Sequence, residues 1–404
     1  MTVSIIGAST TKFGELWGIS PRILAADAVT GALRDAGIPA SRVEALFVGN
    51  MLSGMLGGQE HLGAFFSEEL GLSVPAFKIE GACASGGLAI HNAVNSILSG
   101  QYETVVVLGV EKMTDHKPED VALALMGAGN EEERASGATF PGLYAILARA
   151  HMQEFGTTEE QMAAVAVKNH FHASLNPNAQ FQNPLTIAQV MKSSCIADPL
   201  KLLDCSPISD GASAVVITRI SASKRQRVNG IKILASTVAT DTLGLAQRKS
   251  LTELAATKVA AEKAYQRAGV TAKDIDVAEV HDCFTIAEIL AMEDLGFFAK
   301  GKAADAIARG ETMLGQRDSG NLPQAQHDSR NQTLRHRIIV NPSGGLKGCG
   351  HPVGATGVKQ IVELVEQLRG TAGKRQVTGA RIGLAHNVGG SGATAVVHIV
   401  CKVR

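Results

Sequence analysis

The stretch E-G-A-C-A-S-G-G-L-A-I-H-N-A-V-N-S-I-L, residues 80–98, sets a cysteine among small residues just ahead of an apolar pattern. Apolar residues recur at helical spacing from Leu88 to Ile97, which predicts a helix that begins at or near Cys83. A thiol at a helix N-terminus faces unpaired N–H groups and the positive end of the helix dipole, and both favour the nucleophilic thiolate. The alternative is that Cys83 is a small, inert, buried side chain, as many free cysteines are.

The composition argues against several classes of protein. Lysine plus arginine and aspartate plus glutamate each number 38, so no net charge favours nucleic acid or an anionic membrane, and aromatic residues are only 4% of the chain. The 404 residues predict two or three domains, and the 45% hydrophobic share is enough for large cores. Six cysteines show no C-x-x-C pair, and we find no signal peptide or membrane-spanning apolar run. We therefore expect a cytoplasmic protein with reduced thiols that binds neither nucleic acid nor a membrane.

Buried-strand patterns alternate with amphipathic helices in residues 1–111, which predicts a mainly parallel sheet with helices on both faces. Residues 112–204 form predicted helices with no strands between them, so we expect an inserted, mostly helical loop domain. Residues 205–220 return to the first half, and residues 221–404 form the second half. The predicted strands are 2–6, 43–48, 74–79, 104–110 and 209–218, and the predicted helices are 21–36, 58–70, 142–155, 158–175 and 187–191.

The second half repeats the first in three places and in the same order. R-D-A-G-I-P-A-S-R-V-E-A-L (34–46) is echoed by Q-R-A-G-V-T-A-K-D-I-D-V-A (266–278). The start of the Cys83 helix is echoed by G-H-P-V-G-A-T-G (350–357), with Gly86 matching Gly354, and D-G-A-S-A-V-V-I (210–217) is echoed by S-G-A-T-A-V-V-H (391–398). The repeats predict two similar α/β halves packed face to face, with equivalent helix starts near a pseudo-twofold axis. Residues 316–337 fit neither repeat, and their polar, aperiodic composition predicts a surface loop or disorder.

Three stretches of the second half carry chemically active side chains. E-V-H-D-C-F (279–284) follows a predicted strand, so His281 and Cys283 lie where an α/β sheet binds ligands. N-P-S-G-G-L-K-G-C-G-H-P-V-G-A-T-G (341–357) sets His351 at a glycine-flanked helix start, and A-H-N-V-G-G-S-G (385–392) offers bare backbone N–H groups to an oxyanion.

Taken singly, each of these stretches has a structural explanation. His281 would cap the helix that follows it, the H-P pair at His351 would open another helix, and the glycines would form a tight turn. Cys349 lies near His351, but the usual set of spaced zinc ligands is missing, so we expect no metal.

Together, the patterns C-A-S-G-G, H-D-C-F, G-H-P-V-G-A-T-G and H-N-V-G-G resemble the thiolase family over nearly the whole chain. The resemblance is to its sterol-carrier-type and archaeal branch, and to the archaeal acetoacetyl-CoA thiolases in particular, through stretches such as G-A-T-F-P-G-L-Y-A and L-D-C-S-P-I-S-D-G. It implies a thiolase-like fold of two five-stranded α/β halves, with an inserted loop domain that carries coenzyme A contacts.

The resemblance also implies roles for single residues. Cys83 is expected to be the acyl-accepting nucleophile, His351 the base that activates it, and Cys283 the acid/base thiol. His281 is expected to help build one oxyanion hole, and the backbone N–H groups of Cys83 and of a glycine near Gly390 the other.

The chain departs from the family pattern near its C-terminus. Many thiolases hold a second catalytic cysteine in a C-x-G motif, and here His386 stands at that position. We expect His386 and Asn387 to support the site. Cys349 stands where we expect a residue without a thiol, and residues 316–337 are longer than the family pattern predicts.

The activity that the resemblance implies is condensation of two acetyl-CoA molecules to acetoacetyl-CoA and free coenzyme A through an acetyl-cysteine. Coenzyme A thioesters are the substrates, and no cofactor is required. The implied context is the mevalonate route, with a homo-oligomer, dimer or tetramer, that associates with hydroxymethylglutaryl-CoA synthase through a small zinc-binding OB-fold protein.

Three alternatives remain open. A β-ketoacyl synthase normally uses two histidines and a carrier protein, and Cys283 argues against it. A degradative 3-ketoacyl-CoA thiolase is poorly separated by sequence. A non-catalytic scaffold or lipid-binding subunit would lack Cys83, Cys283 or His351, and all three are present.

Overall fold

A computed structural model of the chain describes residues 2–220, 230–315 and 338–402. The segment predicted to be a surface loop, residues 316–337, lies outside the described residues. The strands are β1 (Thr2–Thr10), β2 (Ala45–Gly49), β3 (Ala76–Ile79), β4 (Thr104–Glu111), β5 (Cys195–Ala197), β6 (Leu200–Lys201), β7 (Gly211–Ile220), β8 (Ile231–Thr240), β9 (Val277–Glu279), β10 (Ile339–Val340), β11 (Ile382–Gly389) and β12 (Thr394–Lys402). The helices are α1 (Pro21–Ala36), α2 (Ser53–Gly57), α3 (Leu62–Glu69), α4 (Ser85–Leu98), α5 (Pro118–Leu125), α6 (Glu131–Ala135), α7 (Phe140–Phe155), α8 (Glu159–Ser174), α9 (Ile187–Lys192), α10 (Ala255–Ala268), α11 (Thr285–Asp294), α12 (Ala303–Ala308), α13 (Gly345–Cys349) and α14 (Val353–Arg369).

Each half contributes five strands, and the two half-sheets join edge to edge in the order β10-β9-β11-β12-β8-β1-β7-β4-β2-β3. The junction is a short antiparallel pairing of β1 with β8, in which Ser4 faces Lys232 and Ile5 faces Ile231. The expectation of a mainly parallel sheet is wrong, because only β3-β2-β4 and β10-β9-β11 are parallel. The parallel strands are connected through helices, whereas β12 follows β11 through a tight turn and so is antiparallel to it. β7 also runs antiparallel to β4, to which the chain returns after the inserted region.

Helices α4 and α14 pack against each other between the two half-sheets, and α14 contacts β4 and β7 of one half as well as β11 of the other. The backbones approach closely because the crossing is made of glycines. A Cβ atom on Gly86 would lie 2.7 Å from the Gly354 carbonyl oxygen and 3.0 Å from the Gly357 nitrogen. The matched glycines of the sequence repeat therefore meet at the centre of the molecule, and the predicted face-to-face packing of two similar halves is confirmed.

The repeat is also visible where two equivalent helices end. Gly37 terminates α1 with φ 65°, and Gly269 terminates α10 with φ 67°. This left-handed conformation favours glycine, since it lacks a Cβ atom. Each glycine is followed by a single 3-10 turn, Ala40–Arg42 or Ala272–Asp274, and then by a buried strand of its half.

The inserted region holds α5 to α9, but the expectation that it has no strands is wrong, because β5 and β6 form a two-stranded sheet of their own. Strands of three and two residues are too short to show a periodic pattern in the sequence. Asp210, just before β7, accepts hydrogen bonds from the Met113 and Thr114 nitrogens at 2.7 and 2.9 Å and so holds the beginning of the insertion. No helix of the described ranges is both long and apolar enough to cross a membrane.

Candidate active site

The predicted nucleophile and two histidines come together at the crossing of α4 and α14. Cys83 lies in a 3-10 turn, Ala82–Ala84, that leads directly into α4. His281 follows β9, and His351 lies between α13 and α14. The Cys83 sulfur and one ring nitrogen of each histidine all lie within 4.8 Å of one another, and the two rings stand edge to face with centroids 5.1 Å apart.

A cavity of about 210 Å³ opens onto this cluster. The side chains of Cys83, Cys283 and His351 line it, together with Gly390 and Tyr144. Most of the remaining wall is apolar and much of it comes from the insertion: Met113, Leu125, Phe140, Pro141, Ile208 and Phe284. The chamber thus holds two thiols and a histidine in largely apolar surroundings.

The protonation state of His351 follows from its hydrogen bonds. Its Nδ1 atom lies 2.7 Å from the Thr356 hydroxyl oxygen, and that hydroxyl donates to the Pro352 carbonyl at 3.0 Å. The single hydroxyl proton is therefore used, so Nδ1 must carry hydrogen and Nε2 keeps its lone pair. Burial, with the nearby Lys359 charge as a smaller cause, lowers the pKa of His351 to about 3. His351 is consequently a neutral base at neutral pH.

Cys83 rests as a thiol rather than as the expected thiolate. Burial, reinforced by the Glu111 carboxylate, raises its pKa to about 12, and hydrogen bonds from the backbone N–H groups of Gly390 and Cys83 itself offset only part of this. Desolvation of the charged form thus outweighs the helix start. A reaction at this sulfur therefore requires a proton acceptor, and a ring nitrogen of His351 lies within 4.8 Å of it.

Asn387 fixes the tautomer of His281. The Asn387 Oδ1 atom accepts from the Gly87 backbone nitrogen at 3.0 Å, so its Nδ2 atom is the donor to the Cys83 carbonyl at 2.9 Å and to His281 Nδ1 at 3.3 Å. His281 Nδ1 therefore accepts, and Nε2 carries the hydrogen. That Nε2 atom is buried and has no hydrogen-bond partner among the described residues. A buried, unpaired N–H group beside a nucleophile is suited to receive an oxyanion.

Cys283 is buried, with 6% of its surface exposed. Burial raises the pKa of its thiol, and a hydrogen bond with the Tyr144 hydroxyl acts in the opposite direction. The preceding residue, Asp282, points into the protein instead, where it accepts from the Leu346 nitrogen at 2.7 Å and from Asn169 Nδ2 at 2.6 Å. Asp282 thereby ties the segment after β9 to α13 and α8.

His386 and Cys349 do not line the cavity. His386 directly precedes Asn387 on β11, and neighbouring strand residues point to opposite faces. Its Nε2 atom lies 2.9 Å from the Thr257 hydroxyl of α10, away from Cys83. Of the two supporting residues expected there, the structure brings Asn387 into the site. Cys349 packs in a small apolar cluster with Phe13 and alanine side chains.

The cluster of Cys83, His281 and His351 has the spacing of metal ligands. The donor set does not fit a metal ion, because His281 Nε2 carries hydrogen as long as Nδ1 accepts from Asn387. The sequence-based expectation that the site works without a metal stays a prediction.

Sequence reasoning missed three residues of the site. Thr356 orients His351, Tyr144 contacts Cys283, and Glu111 lies near Cys83 with a pKa that burial raises to about 7. Glu111 could have been noticed in the sequence, because it is an acidic residue at the end of the buried run T-V-V-V-L-G-V-E. Thr356 and Tyr144 gave no such signal, because their roles depend on the partners they meet in the folded chain.

Comparisons with known proteins match both halves of the chain to one family. The thiolase N-terminal domain matches residues 3–221, and the thiolase C-terminal domain-like family matches residues 237–402. The chain is 47% identical over 401 residues to an acetyl-CoA acetyltransferase of Methanothermobacter thermautotrophicus, covering 99% of each chain. It is 42% identical to an acetyl-CoA acetyltransferase of Methanocaldococcus jannaschii, over 100% of this chain and 99% of that relative.

A solved structure described as the Ltp2-ChsH2(DUF35) aldolase superposes with a TM-score of 0.80 at 25% identity, over 100% of this chain and 98% of that chain. The family matches span both halves of the repeat, and the two relatives match the chain from end to end. The chain therefore belongs to the thiolase family and is an acyltransferase.

Proposed function

We propose that the chain is an acetyl-CoA acetyltransferase, which condenses two acetyl-CoA molecules to acetoacetyl-CoA and coenzyme A. The observation that carries the proposal is the cluster of a Cys83 thiol, a neutral His351 and an unpaired His281 N–H at one end of a cavity that also holds Cys283. The two archaeal relatives, which match the chain over nearly its full length, are named for the same activity.

In the first half-reaction, the Cys83 sulfur attacks the thioester carbonyl of acetyl-CoA while His351 Nε2 takes the thiol proton. The negative charge on the carbonyl oxygen is held by backbone N–H groups, for which those of Cys83 and Gly390 are the candidates because both point toward the Cys83 sulfur. The C–S bond to coenzyme A then breaks. The leaving thiolate takes a proton from Cys283, which leaves acetyl-Cys83 and a Cys283 thiolate.

In the second half-reaction, the Cys283 thiolate removes a proton from the methyl carbon of a second acetyl-CoA. Its raised pKa suits this step, because a thiolate that binds a proton tightly is a strong base. The enolate oxygen is held by the His281 Nε2–H, and the carbanion attacks the acetyl group of acetyl-Cys83. Cys83 leaves as a thiolate and recovers its proton from His351, which restores the resting enzyme.

The assignment is tested by separating the two half-reactions. Incubation with acetyl-CoA followed by peptide mass mapping should place an acetyl group on Cys83. Cys83→Ala should lose all activity, and Cys283→Ala should still become acetylated at Cys83 but fail to condense. An active Cys83→Ala enzyme would contradict the nucleophile assignment, and normal condensation by Cys283→Ala together with its loss in His386→Ala would contradict the acid/base assignment.

A degradative 3-ketoacyl-CoA thiolase is the second candidate, because the same residues catalyse the reaction in both directions. An apolar chamber of about 210 Å³ favours a short acyl group. Steady-state thiolysis of 3-ketoacyl-CoA substrates of increasing chain length decides between the two. A kcat/KM that rises with chain length would favour the degradative enzyme.

We further propose a cytoplasmic homo-oligomer, a dimer or tetramer, that supplies the mevalonate route. Condensation of two thioesters to a 3-ketoacyl thioester is uphill, so a following reaction must remove the product. A hydroxymethylglutaryl-CoA synthase, held through a small zinc-binding OB-fold protein, would do this, and the archaeal origin of the two relatives supports it. Co-expression of the three proteins and size-exclusion chromatography test the complex; separate elution at micromolar concentration would count against it.

A further inference from the structure

We propose that Tyr144 is a further catalytic residue, whose hydroxyl group turns from the Gly390 carbonyl to the Cys283 sulfur and holds the Cys283 thiolate during condensation. The inference rests on the proposed function, because it assigns a role within the second half-reaction.

Tyr144 is held firmly in place. It lies in the first two turns of α7, is 1% exposed, and lines the cavity beside Cys83 and Cys283. Its ring stacks on the Phe284 ring with centroids 4.6 Å apart and an angle of 28° between the planes. Because Phe284 directly follows Cys283, this stacking keeps the Tyr144 hydroxyl next to the thiol.

The resting hydrogen bonds leave the hydroxyl ready to change its partner. Tyr144 donates its only hydroxyl proton to the Gly390 carbonyl at 3.1 Å. The hydroxyl lone pairs remain free, and the Cys283 thiol, which lines the same cavity, lies close enough to interact with the hydroxyl. In the resting enzyme, the Tyr144 proton is therefore directed to the Gly390 carbonyl, and the hydroxyl lone pairs remain available to the Cys283 S–H group.

Loss of the Cys283 proton favours a different direction of the Tyr144 O–H group. A thiolate has no hydrogen to donate, and two lone pairs then face each other unless the Tyr144 O–H turns toward the sulfur. Rotation about the C–O bond achieves this without moving the ring. A hydrogen bond to an ionised acceptor is about twice as strong as a neutral one, so the gain at sulfur outweighs the bond lost at Gly390. No proton leaves Tyr144 in this exchange.

Gly390 connects this exchange to the nucleophile. Its N–H faces the Cys83 sulfur while its carbonyl faces Tyr144, and its φ of 62° lies in the left-handed region that glycine favours. A purely structural Tyr144 would act through this peptide and would disturb acetylation of Cys83. A hydroxyl that acts on Cys283 disturbs the later proton transfer instead, so the two roles can be separated by measuring each half-reaction.

The other groups near the two side chains cannot replace the hydroxyl. Charged or titratable groups that act on Cys283 are Cys83, Asp282 and Lys347, and Arg248 acts on Tyr144. The Lys347 ammonium donates to the Cys205 carbonyl and not to Cys283. Apart from the Phe284 backbone N–H, Tyr144 is the hydrogen-bond donor that acts on the sulfur within the described residues.

The test is Tyr144→Phe, with Tyr265→Phe as the matched control. Tyr265 is a largely buried tyrosine whose hydroxyl donates to the Leu295 carbonyl at 2.7 Å, away from the cavity. We expect Tyr144→Phe to acetylate Cys83 within about twofold of the wild-type rate and to lose about 10²-fold in condensation and in exchange of the acetyl-CoA methyl protons with deuterated solvent. Its pH–rate profile for exchange should move to higher pH, because the thiolate has lost its donor. Tyr265→Phe should match the wild type in all three measurements.

Equal losses in acetylation and exchange would show a structural role and overturn the inference, as would an unchanged exchange rate and pH profile. A melting temperature of Tyr144→Phe close to that of Tyr265→Phe confirms that a loss of exchange does not come from unfolding. If the wild-type enzyme itself forms no acetyl-Cys83, the proposed function fails, and with it this inference. If acetyl-Cys83 forms and only the variant's behaviour departs from expectation, the inference fails alone.

Discussion

The starts of α4 and α14 are equivalent in the repeat, yet they are used differently. Each is capped by a side chain from the opposite half of the molecule. The Gly87 nitrogen of α4 donates to Asn387 Oδ1 at 3.0 Å, and the Gly354 nitrogen of α14 donates to Glu111 Oε2 at 3.1 Å. Each half thus supplies the capping side chain for a helix of the other half. These contacts fix the orientation of each helix relative to the half that packs against it.

The chemistry of the two caps differs in a way that matches the placement of the proposed nucleophile, Cys83, at the start of α4. Glu111 offers only acceptors when ionised, and besides Gly354 it receives hydrogen bonds from Asn50, Met51 and Leu52. Its role is therefore structural. Asn387 offers a donor as well as an acceptor, so one amide caps α4 and also orients His281, the proposed oxyanion-binding histidine. In this repeated fold, the candidate site therefore lies at the helix start whose capping side chain both donates and accepts hydrogen bonds.

The largest effect is expected when the Asn387 cap loses its donor. Asn387→Asp keeps an acceptor for the Gly87 N–H group but offers no hydrogen-bond donor to His281. The His281 proton then moves to Nδ1, where it faces the carboxylate. His281 Nε2 loses its hydrogen, so we expect kcat for condensation to fall by about 10²–10³-fold. The measurement is steady-state condensation, with a thermal melt to show that the fold is kept.

Asn95→Asp is the matched control for this change, since Asn95 also places its amide nitrogen by a histidine, His91 Nε2 at 3.0 Å, but on the exposed side of α4. The control should keep wild-type activity. Full activity in Asn387→Asp would show that the His281 tautomer does not depend on its amide partner.

A smaller effect, on stability, is expected where the two helix starts touch. A methyl group on Gly86 would meet only backbone atoms of α14, which cannot move aside as side chains do. We expect Gly86→Ala to lower the free energy of unfolding by about 3 kcal/mol. Gly57→Ala, in exposed α2 with nothing within 4 Å of the added atom, should be close to neutral in the same chemical denaturation experiment. Equal stability of the two variants would mean that the halves separate easily at this crossing.

The smallest effect is a pH dependence of stability that arises from His398 of β12, which contacts the first turn of α4. His398 lies 3.2 Å from the Gly87 carbonyl, and burial lowers its pKa from 6.5 to about 3. The folded ring stays neutral while the unfolded chain takes up a proton below pH 6.5, so this contribution to stability is present above 6.5 and is lost as pH falls toward about 3. Between pH 6.5 and 5.5 we expect the wild type to lose about 1 kcal/mol more than His398→Gln.

Denaturant unfolding of both proteins at these pH values checks the sign of this change, and the contributions of the other buried histidines cancel because both proteins contain them. Parallel pH curves for the wild type and His398→Gln would contradict the assignment.

The cap of α14, Glu111, should have the opposite pH dependence. Burial raises the pKa of Glu111 to about 7, so its contribution is favourable at low pH and is lost as pH rises through about 7.

Local physics explains which features could be predicted from the sequence alone. The bounds of α1 and the left-handed glycines Gly37 and Gly269 follow from apolar periodicity and from the φ values that only glycine adopts easily. The position of Cys83 just before α4 follows from the same pattern. Repetition of the motifs was sufficient to predict two packed halves, because equal patterns build equal elements.

Only the tertiary structure decided the direction of the central strands β12, β8, β1 and β7, the protonation of Cys83 and the partner of each polar side chain. Sheet direction depends on connections, and the charge state of a thiol depends on how completely the folded chain excludes water around it. Asn387 and Gly87 are 300 positions apart, so no local pattern could show that Asn387 rather than its neighbour His386 faces Cys83. The chemically active side chains could be identified in the sequence, whereas their hydrogen-bond partners are decided only by the packing of the two halves.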